Sequence, residues 1–337
     1  MQAPKSFRSC KHHIVTGIAV LLVLLFCSAC IALPQEKLED TVQKDDTVTT
    51  DIPEESEEEL PTEAPPETPQ QDARQQVNVP NLMMHNFCEN PPNEWSITPE
   101  KFEMVLHILE KNGYEPVSMA QLIGFVYRGE VLPEKPVCIT LDDGYYSNYD
   151  LAFPLLRRYH MKATIFAIGS SIGQVTYKDT NIPITPHFSY PEAIEMMDSG
   201  LIEIQSHTYD MHQSPELERC QNPRYAMVPL GGETDEAFCQ AIREDLTGYQ
   251  QEFSSRTGRT MYALAYPKGQ FSELTEQVVR ELGYTITFTM NADHCNTIVK
   301  GKADTLYQMG RFNASEDVTE EQLLQYLETG CSAENGQ

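Results

Sequence analysis

Short apolar runs alternate with segments whose apolar residues recur every three to four positions, from about residue 80 onward. The runs predict buried strands and the periodic segments predict amphipathic helices. Strands are expected at 137–141, 164–168, 201–205 and 262–266. Helices are expected at 98–113, 151–159, 191–199, 233–256, 272–282 and 319–328. This alternation favours a parallel α/β sheet or barrel over a β-sandwich.

Some of these helices carry specific local signals. The dipeptide Thr98-Pro99 is a typical helix start, and Gln322 completes a capping box three residues after Thr319. The helix at 233–256 has an expected core stripe formed by Phe238, Ile242, Tyr249 and Phe253. Several of the helices are therefore predicted with both their boundaries and their buried faces.

Polar residues follow three of the predicted strands directly. Asp142 and Asp143 follow 137–141, His207 and His212 follow 201–205, and Pro267-Lys268-Gly269 follows 262–266. In parallel α/β folds the carboxyl ends of the strands converge on one face, and that face holds the active site. We therefore expect these residues to lie close together.

An Asp and two His suit a catalytic metal, because three protein ligands leave coordination positions open for water and substrate. A structural zinc site would more often have four Cys or His ligands, and the predicted folded part contains no Cys-x-x-Cys pair. Adjacent acids are often only a turn, but here they occur together with the His pair. Zinc suits this ligand set, and cobalt, nickel and iron remain alternatives.

These motifs resemble those of the polysaccharide deacetylases, the carbohydrate esterase family 4 that shares the nodulation deacetylase homology domain. The segment Thr140-Leu141-Asp142-Asp143-Gly144 is similar to the family's Thr-Phe-Asp-Asp-Gly motif. The resemblance implies that Asp142 is the general base and that Asp143 binds the metal together with His207 and His212. The second His lies one residue later than in the usual His-Ser/Thr-x-x-His motif, as in the branch that deacetylates poly-β-1,6-N-acetylglucosamine.

The start of the predicted domain resembles the same branch. The segment Asn81-Leu82-Met83-Met84-His85, followed by a helix and Lys111-Asn112-Gly113-Tyr114, is similar to that branch's opening strand. The resemblance implies that His85 is the general acid. A structural role for His85, as a hydrogen-bonding residue after an apolar stretch, is the alternative.

Two departures from the family pattern affect the same part of the site. The third motif, Arg-x-Pro-Tyr-Gly, is replaced by Ala265-Tyr266-Pro267-Lys268-Gly269, which has no Arg to orient the base. We expect Arg311 to substitute for it. The family's final Leu-x-His has no counterpart, which makes His85 the better candidate for the acid.

The resemblance implies a distorted (β/α)7 barrel and a metal-dependent N-deacetylase that acts on an N-acetylated polysaccharide. The backbone N–H of Tyr145 is expected to meet the oxyanion, and the rings of Tyr145, Tyr146 and Tyr266 are candidates for stacking on sugars, with plain packing as the alternative. Pro267, Lys268 and Gly269 are expected to bind substrate or the oxyanion beside Tyr266. Peptidoglycan is an alternative substrate to poly-β-1,6-N-acetylglucosamine. A catalytically silent glycan-binding module is a further alternative, since the motif Arg and the final His are missing.

The amino-terminal part of the chain predicts export. Three basic residues precede the charge-free apolar stretch 14–33, so residues 1–34 suit a signal sequence, a membrane anchor or a lipoprotein leader with Cys30 as the lipidated residue. Residues 35–78 contain 14 Asp or Glu and 3 Lys or Arg, and we expect a disordered stalk. The catalytic domain is expected at 79–331 and a disordered tail at 332–337.

Charge and composition limit the partners. The formal net charge of −26 argues against binding to nucleic acid or to an anionic membrane surface. We expect a monomer that is held at the bacterial membrane by its amino-terminal segment, with the catalytic domain outside the cell.

The remaining Cys and His residues give weaker signals. Six Cys lie outside the leader; Cys138 is expected to be a buried free thiol, and Cys220 with Cys239 is our first choice for a disulfide. His107 is expected in the core of a helix interface, and no role is assigned to the His residues at 160, 187 and 294. The segment 170–190 is expected to be an insertion beside the site.

Overall fold

A computed structural model describes residues 71–332. The predicted leader at 1–34, most of the predicted stalk and nearly all of the predicted tail lie outside the described residues. Within the part that is described, none of the helices combines the length and the apolar character that a membrane span requires.

Helices and strands alternate through most of the described chain. The helices are α1 Pro99–Lys111, α2 Met119–Arg128, α3 Phe153–Tyr159, α4 Tyr190–Asp198, α5 Asp235–Thr257, α6 Glu273–Glu281 and α7 Glu320–Thr329. The strands are β1 Gln76–Asn78, β2 Asn81–Met84, β3 Asn86–Phe87, β4 Ser96–Ile97, β5 Glu115–Pro116, β6 Pro136–Asp143, β7 Ala163–Ala167, β8 Ile202–Ser206, β9 Ala263–Ala265, β10 Ile286–Phe288, β11 Thr297–Val299 and β12 Phe312–Asn313.

The main sheet is parallel and curled. Its strand order is β10-β9-β8-β7-β6-β2-β12, and β5 extends one end of β6. A further parallel bridge joins Phe288 of β10 to Met309, a few residues before β12, so the two edges of the sheet approach each other. The prediction of a distorted (β/α)7 barrel is confirmed.

Local sequence signals account for the helix boundaries. The hydroxyl of Thr98 accepts a hydrogen bond from the backbone N–H of Lys101 at the start of α1, and Thr319 and Gln322 form the predicted capping box of α7. The predicted stripe on α5 is buried. Sequence reasoning missed α2, although Ser118 and Gln121 form a capping box there and Gly129 ends the helix in a left-handed conformation.

The boundary between stalk and domain requires a correction. Residues 71–78 were expected to be disordered, but β1 pairs antiparallel with β11. Arg74 forms an ion pair with Asp72 and donates hydrogen bonds to the carbonyl oxygens of Leu132 and Pro133. The acidic composition of 35–78 concealed these contacts, because it was averaged over a segment whose last residues join the fold.

The expected disulfide is also wrong. Cys295 and Cys331 form a disulfide, whereas Cys220 and Cys239 are free. The bridge joins residues that are 36 positions apart, and their proximity depends on the return of the chain after α7. Cys138 is a buried free thiol, as predicted. Burial raises its pKa.

His107 lies on the solvent side of α1 rather than in the core. Its side chain is 62% exposed and lies near Glu110, one turn further along the helix. The apolar side of α1 is formed instead by Phe102, Val105 and Leu109 among others. With 3.6 residues per turn, His107 lies on roughly the opposite side of the helix from Phe102, Val105 and Leu109.

Candidate active site

The two aspartates lie at the carboxyl end of β6, where every residue of the strand is buried. Asp143 adopts a left-handed backbone conformation with φ 70°, which is uncommon for a residue other than glycine. Gly144 continues the turn with φ 82°, and a Cβ at this position would lie 3.0 Å from the Cβ of Ala167. This tight turn directs the carboxylates of Asp142 and Asp143 into the cavity at the end of the sheet.

His207 follows β8 and has a defined tautomer. Its Nδ1 lies 2.8 Å from the carbonyl oxygen of Ala265. A carbonyl can only accept, so Nδ1 carries the proton and Nε2 is free to bind a metal. Burial is the main cause that lowers the pKa of His207, to about 4. The imidazole is therefore neutral at pH 7, which is the form that ligates metals.

Asp143, His207 and His212 fit a metal ion. One ligand atom from each residue lies within 4.8 Å of the others. The Oδ1 atom of Asp143 is 3.5 Å from Nε2 of His207 and 3.8 Å from Nε2 of His212. This oxygen is buried and has no hydrogen-bond partner among the described residues. A buried, unpartnered carboxylate oxygen that faces two imidazole nitrogens is expected where a cation completes the site.

Asp142 forms a bidentate ion pair with Arg311. Nη1 of Arg311 lies 2.6 Å from Oδ1 of Asp142, and Nη2 lies 2.8 Å from Oδ2. Arg311 is fully buried, with its guanidinium carbon 5.6 Å from the centre of the Phe166 ring. Burial alone would raise the pKa of Asp142, but the charges of Arg311 and His207 and the hydrogen bonds from Arg311 lower it below its usual range. Asp142 is therefore ionised and held in one orientation.

His85 faces the same carboxylate from the end of β2. Its Nε2 lies 3.9 Å from Oδ2 of Asp142, and its Nδ1 is buried without a hydrogen-bond partner in the described part of the chain. The carbonyl oxygen of His85 accepts a hydrogen bond from Asn148. The backbone is thus held by a polar contact, whereas the imidazole is held by packing against the ring of Trp95, at 5.0 Å between ring centres.

Of the third-motif residues that were expected to bind substrate or the oxyanion, Lys268 is the one that lines the cavity. Lys268 has a left-handed backbone with φ 55°. Tyr266 is fully buried, stacks on Phe271 and donates a hydrogen bond from its hydroxyl to Glu276, so the expectation that it stacks on a sugar is wrong. Pro267 is also buried, and Gly269 packs against Met290 too closely for a Cβ.

Tyr145 lines the cavity beside Asp143. The charge of Asp143 is the main cause that raises the pKa of the Tyr145 hydroxyl, so this group is protonated at neutral pH. The ring lies 4.9 Å from that of His187, and the two residues form a short bridge between segment 144–146 and the predicted insertion. The insertion therefore lies beside the site, and Thr185 from it also lines the cavity. Tyr146 is 37% exposed at the same turn.

Asp245 on α5 supports the loop between His207 and His212, a contact that sequence reasoning missed. Its two carboxylate oxygens accept hydrogen bonds from the backbone N–H groups of Tyr209 and Asp210, each at 2.8 Å. Burial raises the pKa of Asp245 to about 6, although both hydrogen bonds act in the opposite direction. The spacing of the His pair gives no indication of this support, because Asp245 comes from a distant helix.

The comparisons with known proteins agree with the fold and the motifs. Residues 129–287, a little under half of the chain, match the polysaccharide deacetylase family model. The chain is 28% identical over 200 residues to the poly-beta-1,6-N-acetyl-D-glucosamine N-deacetylase of Escherichia coli, covering 56% of this chain and 30% of that protein. It is 24% identical over 226 residues to the enzyme of the same name from Staphylococcus epidermidis, covering 67% of this chain and 70% of that one.

A solved structure has the same fold. The de-N-acetylase from Aggregatibacter actinomycetemcomitans superposes with a TM-score of 0.62 at 22% identity, covering 74% of this chain and 100% of that one. The chain spans only about a third of the length of the Escherichia coli relative. The family match covers β6, β7, β8, β9 and most of β10, and it includes the Asp pair, His207 and His212. Residues 129–287, which contain both motifs, are therefore similar to the polysaccharide deacetylase family.

Proposed function

We propose that this protein is a metal-dependent N-deacetylase of poly-β-1,6-N-acetylglucosamine. One observation carries the proposal: a metal-ligand triad, an ionised carboxylate and an imidazole share one cavity of 530 Å³. The relatives named as N-deacetylases of this polymer support the choice of substrate. The longer spacing between His207 and His212 supports the same choice.

Asp143, His207 and His212 would hold the metal. A divalent ion bound there would polarise the acetamide carbonyl and lower the pKa of water, as zinc does in other hydrolases. In the neutral tautomer of His207, Nε2 can bind a metal, and the unpartnered Oδ1 of Asp143 can bind the same ion. One carboxylate and two imidazoles suit zinc, and cobalt, nickel or iron would fit the same donors.

Asp142 and His85 divide the proton transfers between them. Asp142 is ionised by its contact with Arg311 and accepts the proton of the attacking water. His85 lies near the same carboxylate and donates a proton to the leaving amine. The 3.9 Å separation between Nε2 of His85 and Oδ2 of Asp142 leaves both groups free to face the substrate.

The oxyanion that forms during attack requires a donor near Asp143. The backbone N–H of Tyr145 follows the Asp143-Gly144 turn, and the hydrogen bonds of the described residues leave it free. A preorganised backbone donor of this kind typically contributes about 10²–10³-fold to a rate. Tyr145 thus serves the reaction through its backbone, while its ring lines the cavity.

The structure weakens the reasons for considering a silent glycan-binding module. That alternative rested on the missing motif Arg and the missing final His. Arg311, directly before β12, contacts the proposed base, and His85 lines the same cavity. Peptidoglycan remains the alternative substrate. We also propose that the protein is exported and held at the membrane, on the basis of the sequence of residues 1–34.

Acetate release by the full chain tests the proposal. The protein is stripped of metal, supplied with zinc, and assayed on poly-β-1,6-N-acetylglucosamine oligomers and on peptidoglycan. We expect metal-dependent release from the oligomers, lost in both Asp142→Asn and His207→Ala. Release from peptidoglycan alone would replace the substrate, and release that survives both substitutions would contradict the assigned site.

A further inference from the structure

The wall of the cavity next to His85 contains an aromatic ring to which the reaction assigns no role. Trp95 lines the cavity and is 38% exposed. It lies directly before β4, in the segment that connects β3 to β4. It is also the only Trp of the chain. A large apolar ring that remains open to a polar cavity exposes surface that folding does not bury, which is typical of a binding site.

The main chain of Trp95 is held on both sides. Its N–H donates a hydrogen bond of 3.1 Å to Oδ1 of Asn93, and its carbonyl oxygen accepts one of 3.2 Å from the backbone N–H of Asn86. The ring also packs edge-on with His85, at an interplanar angle of 65°. The indole is therefore preorganised, which reduces the entropy that a ligand must overcome on binding.

Tyr145, the other large aromatic side chain that lines the cavity, is less exposed than Trp95. Asp142, Asp143, His207 and His212 occupy the reacting side, and Lys268 contributes a cationic group at the end of β9. Tyr145 packs against His187. Trp95 thus presents a broad apolar surface beside the proton donor, where the pyranose ring that bears the leaving amine would lie. The axial C–H bonds of β-linked hexosamines form apolar faces that suit an indole.

We propose that Trp95 is the sugar-binding platform of this site, and that its indole packs against a pyranose ring of an N-acetylhexosamine polymer. The inference rests on the proposed function and specifies which residue binds the sugar. Trp95 acts on substrate binding, whereas His85 beside it acts on proton transfer. Loss of the indole should therefore affect KM more than kcat.

The single Trp makes binding directly measurable. In the Asp142→Asn variant of the full chain, which should bind without turnover, tryptophan fluorescence is titrated with β-1,6-linked N-acetylglucosamine oligomers. We expect a saturable change in emission and protection of the indole from acrylamide quenching. Glucose oligomers without the acetamide provide the control for unspecific effects.

Substitutions separate the platform from a supporting role. Trp95→Ala and Trp95→Leu should raise KM about tenfold, and Trp95→Phe should restore part of the loss. Tyr127→Ala, which removes an exposed aromatic ring on α2, is the matched control and should leave KM unchanged. Thermal unfolding and zinc content of each variant verify that the fold and the metal site are retained.

The outcomes distinguish the two proposals. An unchanged KM in Trp95→Ala, or a loss confined to kcat, would mean that the ring only supports His85 and would overturn the inference. A saturable fluorescence response in a wild-type protein that releases no acetate would instead contradict the proposed deacetylase activity. The proposed sugar-binding role of Trp95 would still be supported. A fluorescence titration without saturation in an active enzyme would refute the platform alone.

Discussion

The two halves of the active site are built in different ways. The proposed metal side consists of Asp143, His207 and His212, whose positions follow from two short motifs at the ends of β6 and β8. The side of the proposed base and the proposed acid consists of Asp142, Arg311 and His85, which come from three separate regions of the chain. Arg311 lies 169 positions from the carboxylate that it binds.

This difference shows which residues of the site a short sequence motif can locate and which it cannot. The metal side needs residues at the carboxyl ends of neighbouring parallel strands, and a short sequence pattern is sufficient to place them there. The base needs only a guanidinium in the right position, and any element that lines the barrel can supply it. In this chain the motif Arg is absent next to β9, and the guanidinium comes from the residue before β12.

The largest effect is expected from Asp142→Asn, which tests whether the two halves are functionally separate. The amide cannot accept the proton of water, so kcat should fall by about 10²–10⁴-fold, while zinc remains bound. His207→Ala should instead lose both zinc and activity. Turnover is measured by acetate release and zinc by metal analysis. Near wild-type turnover in Asp142→Asn would refute the role of Asp142 as the base.

A second effect is expected from Arg311→Met, which leaves Asp142 buried without its partner. The free energy of unfolding should fall by about 3–5 kcal/mol, because an uncompensated buried charge is costly. The pKa of Asp142 is depressed in the folded protein, so this contribution is complete above the unfolded-state pKa of about 4 and is lost as the pH falls through the lower folded-state pKa. Urea unfolding at several pH values measures it.

Controls for Arg311 come from the same chain. Arg158→Met removes an exposed ion pair with Glu103 and should cost less than about 1 kcal/mol. Arg311→Lys keeps the charge but not the bidentate geometry, and should fall between the two in stability and lower kcat. Equal stability losses for Arg311→Met and Arg158→Met would show that the buried pair is not important for the fold.

The smallest effect is expected from Asp245→Asn, which tests how far the metal side depends on distant support. The amide retains one acceptor for the Tyr209–Asp210 loop and loses the other, so zinc affinity should fall by about tenfold with little change in kcat at saturating zinc. Glu244→Gln, at an exposed neighbouring position on α5, is the control. Competition with a chelator measures the affinity. An unchanged zinc affinity would show that the metal side does not depend on Asp245.

Much of the fold followed from local patterns. The helices that begin at Pro99 and at Glu320 were predicted with their capping residues, and the buried strand β6 was predicted almost to its ends. Short strands were harder to predict from the sequence. The two-residue strand β12 has no periodicity of its own, yet it follows Arg311 directly in the chain. Its position depends on pairing with β2.

Local sequence features also led to three wrong predictions. An acidic average concealed β1, a Pro- and Gly-rich stretch suggested the wrong disulfide, and a strand-end position suggested that Tyr266 was open to substrate. Each of these properties depends on which distant segment packs against the residue. Tyr266, for example, is covered by Phe271 and by Glu276 of α6.

The order of residues along the chain was sufficient for the alternation of strands and helices, and for the Asp and His motifs at strand ends. Hydrophobic periodicity and capping chemistry act over a few residues, so they can be read from one segment at a time. Tertiary packing decided the rest: closure of the sheet brought Arg311 to Asp142, packing of the β3–β4 connection brought Trp95 to His85, and packing of α5 brought Asp245 to the histidine loop. Those contacts join distant segments, and only packing in three dimensions selects them.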